Sequence, residues 1–478
     1  MKFYYILFTV FFLTFNPKIL GQTEGFPDST FNTGSGFNDL VKDIELQSDG
    51  KILVSGAFTT YQNISANRIV RLNNNGSIDN TFVYSTGFNS HVSDILIQPD
   101  GKIIVVGYFS EYNGIPTNRI IRLNVNGSID NTFSSIGGGT SLYIQNVEIQ
   151  NDLKLLVSRV FTNSGGLVLY NDIVRLNING TIDNTFSTGT GFDASIKTFK
   201  VASDGKIYVA GSFLTYKSAT LNTKKIIRLN SDGNRDATFA NGATGFNDDV
   251  LTINLQNDGK IIAGGVFSQF MQAGNLTSPN NITRLTSDGR IDPPSFINGF
   301  VKNSGVIVRD LAIQNDNKIL VVGSFSSYSN NSNINNIVRI NDDSKWSFDE
   351  TFFTGNGFNS DVTKIKIQAD GAILVGGNFT KFNSATANRI IRLNGSPVLS
   401  TQQFGNEKIA IYPNPVNETL YISHIQNTDY EVYDILGKLI LKGKNTENKI
   451  NVSSLKSGIY ILKLKEEKHT INQKFVKE

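Results

Sequence analysis

The 478-residue chain has 44 Lys+Arg against 41 Asp+Glu, no Cys and only 3 His. That composition removes thiol nucleophiles, disulfide frameworks and Cys-ligated zinc, and it leaves little for a His-rich metal site, since His91 stands apart from His424 and His469. With 18% charged and 39% hydrophobic residues, 33 Phe and 43 Gly, the chain reads as globular and rich in turns.

At the N-terminus Lys2 precedes an apolar run from Phe3 to Phe15, which predicts a signal peptide over residues 1–21. That run is too short to span a bilayer, which needs about 20 apolar residues, so no transmembrane anchor is expected after its removal. Residues 22–407 then hold 31 basic against 33 acidic residues, which argues against nucleic acid as a partner.

From there a unit recurs seven times in a fixed order: Asp-x-x-Phe, Gly-Phe-Asn, an Asp-Gly-Lys turn between two β-patterned runs, Gly-x-Phe and Arg-Leu-Asn. The turn aspartates are Asp49, Asp100, Asp152, Asp204, Asp258, Asp316 and Asp370, and the in-strand arginines Arg71, Arg122, Arg175, Arg228, Arg284, Arg339 and Arg392 keep step with them. Both sets advance 321 residues in six steps, a mean period of about 53.5. Within one unit the apolar period is two, as in Val41 to Leu46, and four short strands are predicted per unit, the pattern of a propeller blade. Asp28-Ser29-Thr30-Phe31 is the tail of a unit without its beginning, and the array stops at Arg392-Leu393-Asn394 without a tail. The fold expected is all-β: a seven-bladed propeller over residues 22–395 whose N-terminal strand closes the last blade.

The seven copies resemble the delta-60 repeats of secreted bacterial propeller proteins, a likeness that implies the fold and little about ligand. Leu153 and Asn317 stand where the turn glycine belongs. Asn317 is expected to accept φ > 0, and the turn at Leu153 is expected to change type. The arginines equal in number the Asp-x-x-Phe aspartates (Asp28, Asp79, Asp130, Asp183, Asp236, Asp292 and Asp349), which favours structural charge pairing over a sevenfold ligand site. Aromatics three residues beyond the Gly-x-Phe phenylalanine, such as Tyr61 and Tyr112, read as core wedges ahead of a sugar-stacking platform. The Asp-Gly turns lack the carboxylates of a calcium loop, and no phosphate loop or nucleophile elbow is found, so no catalytic, metal or cofactor residue is assigned and no cofactor is expected. Glu45, Glu111 and Glu148 are the carboxylates that a carbohydrate-active reading would need to bring face to face.

After a linker over residues 396–407, alternating runs separated by turns predict a small β-sandwich over residues 408–478. Its motifs are Tyr412, Pro413, Asn414 and Pro415, then Asp434, Gly437 and Lys438, then Gly458 and Tyr460. They resemble the type A C-terminal sorting domain of the type IX secretion system of Bacteroidota. That resemblance implies secretion or display on the outer cell surface, with the translocon and a sorting-domain-cleaving enzyme as partners. The functional expectation is a monomeric binding or interaction scaffold for a glycan or protein ligand. The alternatives are a glycoside hydrolase or lyase on the same scaffold, and a structural surface or gliding-associated component.

Overall fold

The computed structural model describes residues 24–478 except 135–141, 163–167, 218, 221–222, 241–243, 293–298, 301–304, 330, 333, 353, 396–410, 423–427, 435–437, 446–447 and 467–468. The expected signal peptide, the expected linker and Gly437 lie outside the described residues.

Seven antiparallel three-stranded sheets follow one another along the chain, beginning with Val41–Leu46, Ile52–Gly56 and Ile69–Leu72 and ending with Val362–Ile367, Ile373–Gly377 and Ile390–Leu393. The alternating residues that specify a strand also specify its place. The middle strands, such as Ile52–Gly56, are buried at every position, because neighbouring sheets cover both of their faces. The fourth strand predicted for each unit is a single bridge. Leu72 pairs with Ile78, Leu123 with Ile129, Leu176 with Ile182, and so on round the array. Only one ladder position survives there because the segment turns at once into the Asp-x-x-Phe corner, where Phe82 N–H donates to Asp79 O at 3.2 Å.

The last blade takes its bridge from the start of the chain. Pro27 pairs with Leu393, Asp28 N–H donates to Arg392 O at 2.9 Å, and Asn394 N–H donates to Phe26 O at 2.8 Å. The ring is closed. Its core is distributed between blades. Leu374 and Ile390 of the seventh blade pack with Val41, Phe58 and Val70 of the first, and comparable clusters fill the other described seams.

Each sequence arginine meets an aspartate. Nε of Arg71 lies 2.6 Å from Asp79, that of Arg122 2.6 Å from Asp130, and that of Arg175 2.8 Å from Asp183. Arg228 lies 2.9 Å from Asp236, Arg284 2.7 Å from Asp292, Arg339 2.7 Å from Asp349 and Arg392 2.8 Å from Asp28. The same guanidinium then crosses to the following blade. Arg71 donates to Val125 O, Arg122 to Ile178 O at 2.5 Å, Arg175 to Ser231 O at 2.6 Å, Arg228 to Ser287 O and Arg392 to Asn74 O. Arg284 reaches the Asp342 carboxylate, and Arg339 reaches Glu24 in the N-terminal segment that completes blade seven. An aromatic ring roofs each cation, as Phe82 does for Arg71 at 4.8 Å and Phe31 for Arg392 at 4.8 Å. A buried guanidinium would be costly alone. Here its donors are shared among carboxylate, threonine hydroxyl and the neighbouring backbone.

Two local features differ from the sequence expectation. Leu153 keeps the turn of its glycine homologues. It adopts φ 66°, its N–H donates to Gln150 O at 2.9 Å, and Gly50 N–H donates to Gln47 O at 3.0 Å in the same way. The flanking ladder holds the turn against the side chain's preference. Asn317 takes φ 65° in the corresponding place. The second difference is a β-bulge in all seven inner strands, between Val41 and Asp43 in the first and between Val362 and Lys364 in the last. Simple alternation across Lys42 and Asp43 is therefore broken, and Asp43 is buried.

The C-terminal unit is a sandwich of a three-stranded and a four-stranded sheet around Val416, Leu420, Val432, Leu462 and Phe475. Asn414 Oδ1 accepts from Val476 N–H at 2.7 Å, Asp434 Oδ1 accepts from Lys438 N–H at 2.9 Å, and Tyr460 Oη donates to Lys456 O at 2.9 Å. Tyr412 stacks on Tyr421 at 5.6 Å, and Gly458 opens the strand opposite Lys477.

Two outcomes follow from these contacts. Leu153→Gly relieves a left-handed leucine, and we expect it to stabilise the propeller by about 1 kcal/mol, read as a higher thermal midpoint; an unchanged or lower midpoint contradicts the strain. Burial pushes the Asp79 and Asp349 carboxyls up, but hydrogen bonds from Thr81, Lys51 and Arg71 more than offset it at Asp79, and the equivalent set holds Asp349 at about 2. An unfolded chain whose aspartates titrate near ~3.9 therefore takes up protons first as pH falls, so stability is complete above that value and is lost through the folded values below it. The clamp's own contribution should stay constant from neutrality to about pH 5, and the thermal midpoint should drop steeply from about pH 4 to pH 2 as that contribution is lost. A decline centred near neutrality would contradict the clamp.

Candidate functional site

The two rims of the ring differ in kind. On the rim that carries the Asp-Gly turns, the arginine and its aspartate repeat in all seven blades, and a lysine joins in six: Lys51, Lys102, Lys154, Lys206, Lys260 and Lys318 each lie within 3.5 Å of the clamp aspartate. Ala372 occupies that place in the seventh. The Asp-Gly turns themselves are closed by their own backbone, with Asp49 Oδ1 accepting from Lys51 N–H at 3.1 Å.

On the opposite rim, where the inner strands begin, the same structural positions vary from blade to blade. The residue two positions before the bulge is Leu40, His91, Tyr143, Ser195, Asp249, Ile307 or Asp361. The middle residue of Gly-x-Phe is Ala57, Tyr108, Val160, Ser212, Val266, Ser324 or Asn378. The bulged residue at the channel mouth is Lys42, Ser93, Gln145, Lys197, Leu251, Arg309 or Thr363. Packing imposes one residue on seven equivalent places, as the clamp shows; these three rings are released from that constraint and form the candidate site.

Inside the rings runs a channel of about 550 Å³ lined by six basic and five acidic side chains. Lys364 pairs with Asp43 at 2.8 Å, Lys366 with Glu45 at 2.6 Å, and Lys200 with Glu148. Asp43 Oδ2 also accepts from Ile95 N–H of the next blade at 3.0 Å, Asp94 Oδ2 from Val147 N–H at 2.9 Å, and Asp310 Oδ2 from Ile365 N–H at 3.1 Å. Carboxylates thus staple successive inner strands. Burial raises the Asp94 carboxyl well above its ordinary range, and the adjacent Asp43 charge raises it further. Burial also raises Glu45, with Lys366 opposing. Burial and the like charge of Lys364 lower Lys42. Basic side chains thus outnumber acidic ones in the lining.

Glu45 and Glu148 therefore share the channel, each bound to a lysine, whereas Glu111 is exposed in the two-residue strand Glu111–Tyr112 away from them. The aromatics Tyr61, Tyr112 and Tyr328 are fully buried and spend their hydroxyls on backbone carbonyls such as Gly76 O, at 2.6 Å from Tyr61. They offer nothing to a ligand.

A different aromatic group does. Tyr108 and Tyr143 stack across the seam of blades two and three at 4.1 Å and 20°, and His91 meets Tyr108 edge-on at 6.4 Å. Tyr108 is 39% exposed, and His91 is exposed as well. Sequence reasoning missed this pair because its members lie in different units. Reading the Gly-x-Phe position across the repeats would have found Tyr108, the one aromatic in that column. A second cavity of about 600 Å³ opens on this rim between blades six and seven, beside Ser324, Asn336 and Asp361. Asn336 stands where Arg68 and Arg389 fill the equivalent seams, and its shorter side chain leaves the space open.

A closed ring of seven sheets joined to a sandwich makes this a β-propeller protein with an appended C-terminal domain. The profile of a β-propeller domain of unknown function, DUF5122, matches residues 47–82, 98–133, 150–186, 202–239, 256–293, 314–352 and 368–396, together more than half of the chain. The chain belongs to that family. Residues 410–478 match the secretion system C-terminal sorting domain, so the protein is exported by the type IX route, secreted or delivered to the cell surface. No described helix is long and apolar enough to cross a membrane. Among curated proteins the chain is similar to β-agarase D of Zobellia galactanivorans, 41% identical over 71 residues, which is 15% of each chain. Among solved structures it is similar to PorZ, a surface component of the type IX secretion system of Porphyromonas gingivalis, at 12% identity and TM-score 0.38, over 95% of this chain and 61% of that one. It is also similar to the extracellular domain of a one component system of B. thetaiotaomicron, at 12% identity and TM-score 0.44, over 95% of this chain and 57% of that one. The chain thus spans about three fifths of the length of these two solved structures and a small part of the agarase.

The channel pair gives a direct check. Asp94 has no ion-pair partner among the described residues and its carboxyl is raised by burial, so Asp94→Asn should shift stability by less than about 0.5 kcal/mol. Asp43→Asn strips Lys364 of its counter-ion and should cost about 3 kcal/mol. Equal losses in chemical denaturation would contradict this difference between the two carboxylates.

Proposed function

We propose that the protein is a binding scaffold whose ligand-bearing surface is the rim with the variable rings, carried out of the cell by its sorting domain and acting there as a monomer. The sorting domain is removed by a processing enzyme of the same export system. What carries the binding reading is the engagement of the channel carboxylates. Hydrolysis of a glycosidic bond needs one carboxyl free to give a proton and a second free to attack or to activate water. Glu45 and Glu148 are neutralised by lysines, while Asp43, Asp94 and Asp310 are held by backbone N–H groups across the seams. Groups so occupied hold blades together and leave recognition to the rim.

The experiment incubates the full-length mature protein with a panel of immobilised glycans and, in parallel, measures release of reducing ends from the same glycans. Binding without release is the expected result. Release that disappears in Glu148→Gln would move the protein to the carbohydrate-active alternative, and neither binding nor release would move it to a structural surface role.

A further inference from the structure

Deepening the binding reading, on which it rests, we infer that the rim selects an acidic saccharide, its sugar ring seated on the Tyr108–Tyr143 platform and its carboxylate turned toward Lys42 and Lys197 at the channel mouth.

Three observations meet here. The first is the platform. Exposed aromatic faces are costly to leave in water, and the repeated seam aromatics Tyr61, Tyr112, Tyr216, Phe270, Tyr328 and Phe382 are buried. Tyr108 and Tyr143 remain accessible, prop each other by stacking, and have His91 at their edge. A rigid, half-exposed pair of rings with hydroxyls at one end suits the apolar face and polar rim of a pyranose.

The second observation is charge. Lys42 and Lys197 occupy the bulged position, the first side chains met on entering the channel, and no carboxylate stands within ion-pair distance of either among the described residues. Their neighbours Lys364, Lys366 and Lys200 are already paired. Lys42 lies among charges of both signs, Lys364 and Arg309 against Asp43 and Asp94, without a direct counter-ion of its own. A neutral sugar would leave both ammonium groups without one.

The third is placement. Gln145, next to Tyr143 on the same strand, is the bulged residue of blade three, between Ser93 of blade two and Lys197 of blade four. Its side chain hydrogen bonds to Tyr108, which ties the platform to this ring. The platform and the two lysines therefore lie on one arc spanning blades one to four. The other blades lack this conjunction: their Gly-x-Phe position carries Ala57, Val160, Ser212, Val266, Ser324 or Asn378.

The test is calorimetric titration of the full-length mature protein with an oligogalacturonate and with its neutral methyl ester. The acid should bind and the ester should bind at least tenfold more weakly, with affinity for the acid falling as salt rises. Tyr108→Ala should weaken both sugars about tenfold. Lys42→Ala and Lys197→Ala should each weaken the acid roughly fivefold and leave the ester unchanged. Circular dichroism melts of each variant separate loss of binding from loss of fold; these side chains lie outside the clamp, and Lys42→Arg should restore binding of the acid. Equal affinity for acid and ester, or wild-type affinity in Tyr108→Ala, overturns the inference. If neither sugar binds while another glycan does in the panel, this inference fails and the scaffold reading stands; if nothing binds, both fall.

Discussion

The guanidinium of the in-strand arginine decides most of this architecture. It ties the corner of its own blade through an aspartate and a threonine, lies beneath an aromatic ring, and reaches one blade further to a carbonyl or carboxylate. A propeller blade alone has two exposed edges and a twisted face with nothing to cover it. The clamp converts each such unit into a part that is satisfied only when its successor is present. Because Arg392 returns to Asn74 and Arg339 to Glu24, the dependence has no first or last member.

Much of this could be read from the residues. The fixed advance of Arg71 to Arg392 and of Asp49 to Asp370 gave the blade number, and the truncated units at Asp28 and Asn394 gave the closure, because periodicity and an incomplete pattern are properties of one dimension. What escaped depends on the third. The bulge beside Lys42 arises from how the inner strands pack around a narrow axis, and no alternation rule announces it. Leu153 shows a tertiary ladder overruling a local preference, since the flanking strands fix the turn before the leucine can choose another. The Tyr108–Tyr143 pair joins residues with no relation in the repeat, and only the seam brings them together.

The division of labour between the rims follows from the same physics. Where a position is held between packed neighbours, one residue type serves in all seven blades, and the clamp rim records that uniformity. Where a position faces the solvent at the mouth of the channel, each blade is free to carry its own chemistry. The channel between the rims belongs to both: its carboxylates staple successive inner strands, while its surplus of lysines sets the electrostatic character met at the entrance.

The contact between Asp28 and Arg392 spans 364 positions of the chain. Blade seven must therefore wait for the whole array to be synthesised before its final edge can be covered, and the segment from Glu24 to Phe31 spends that interval with nothing to pair with. An exporter that accepts the chain before this zipper shuts handles a flexible string of half-made sheets, while one that acts afterwards must pass a rigid disc. The timing of that single closure thus determines which of two very different bodies crosses each envelope layer.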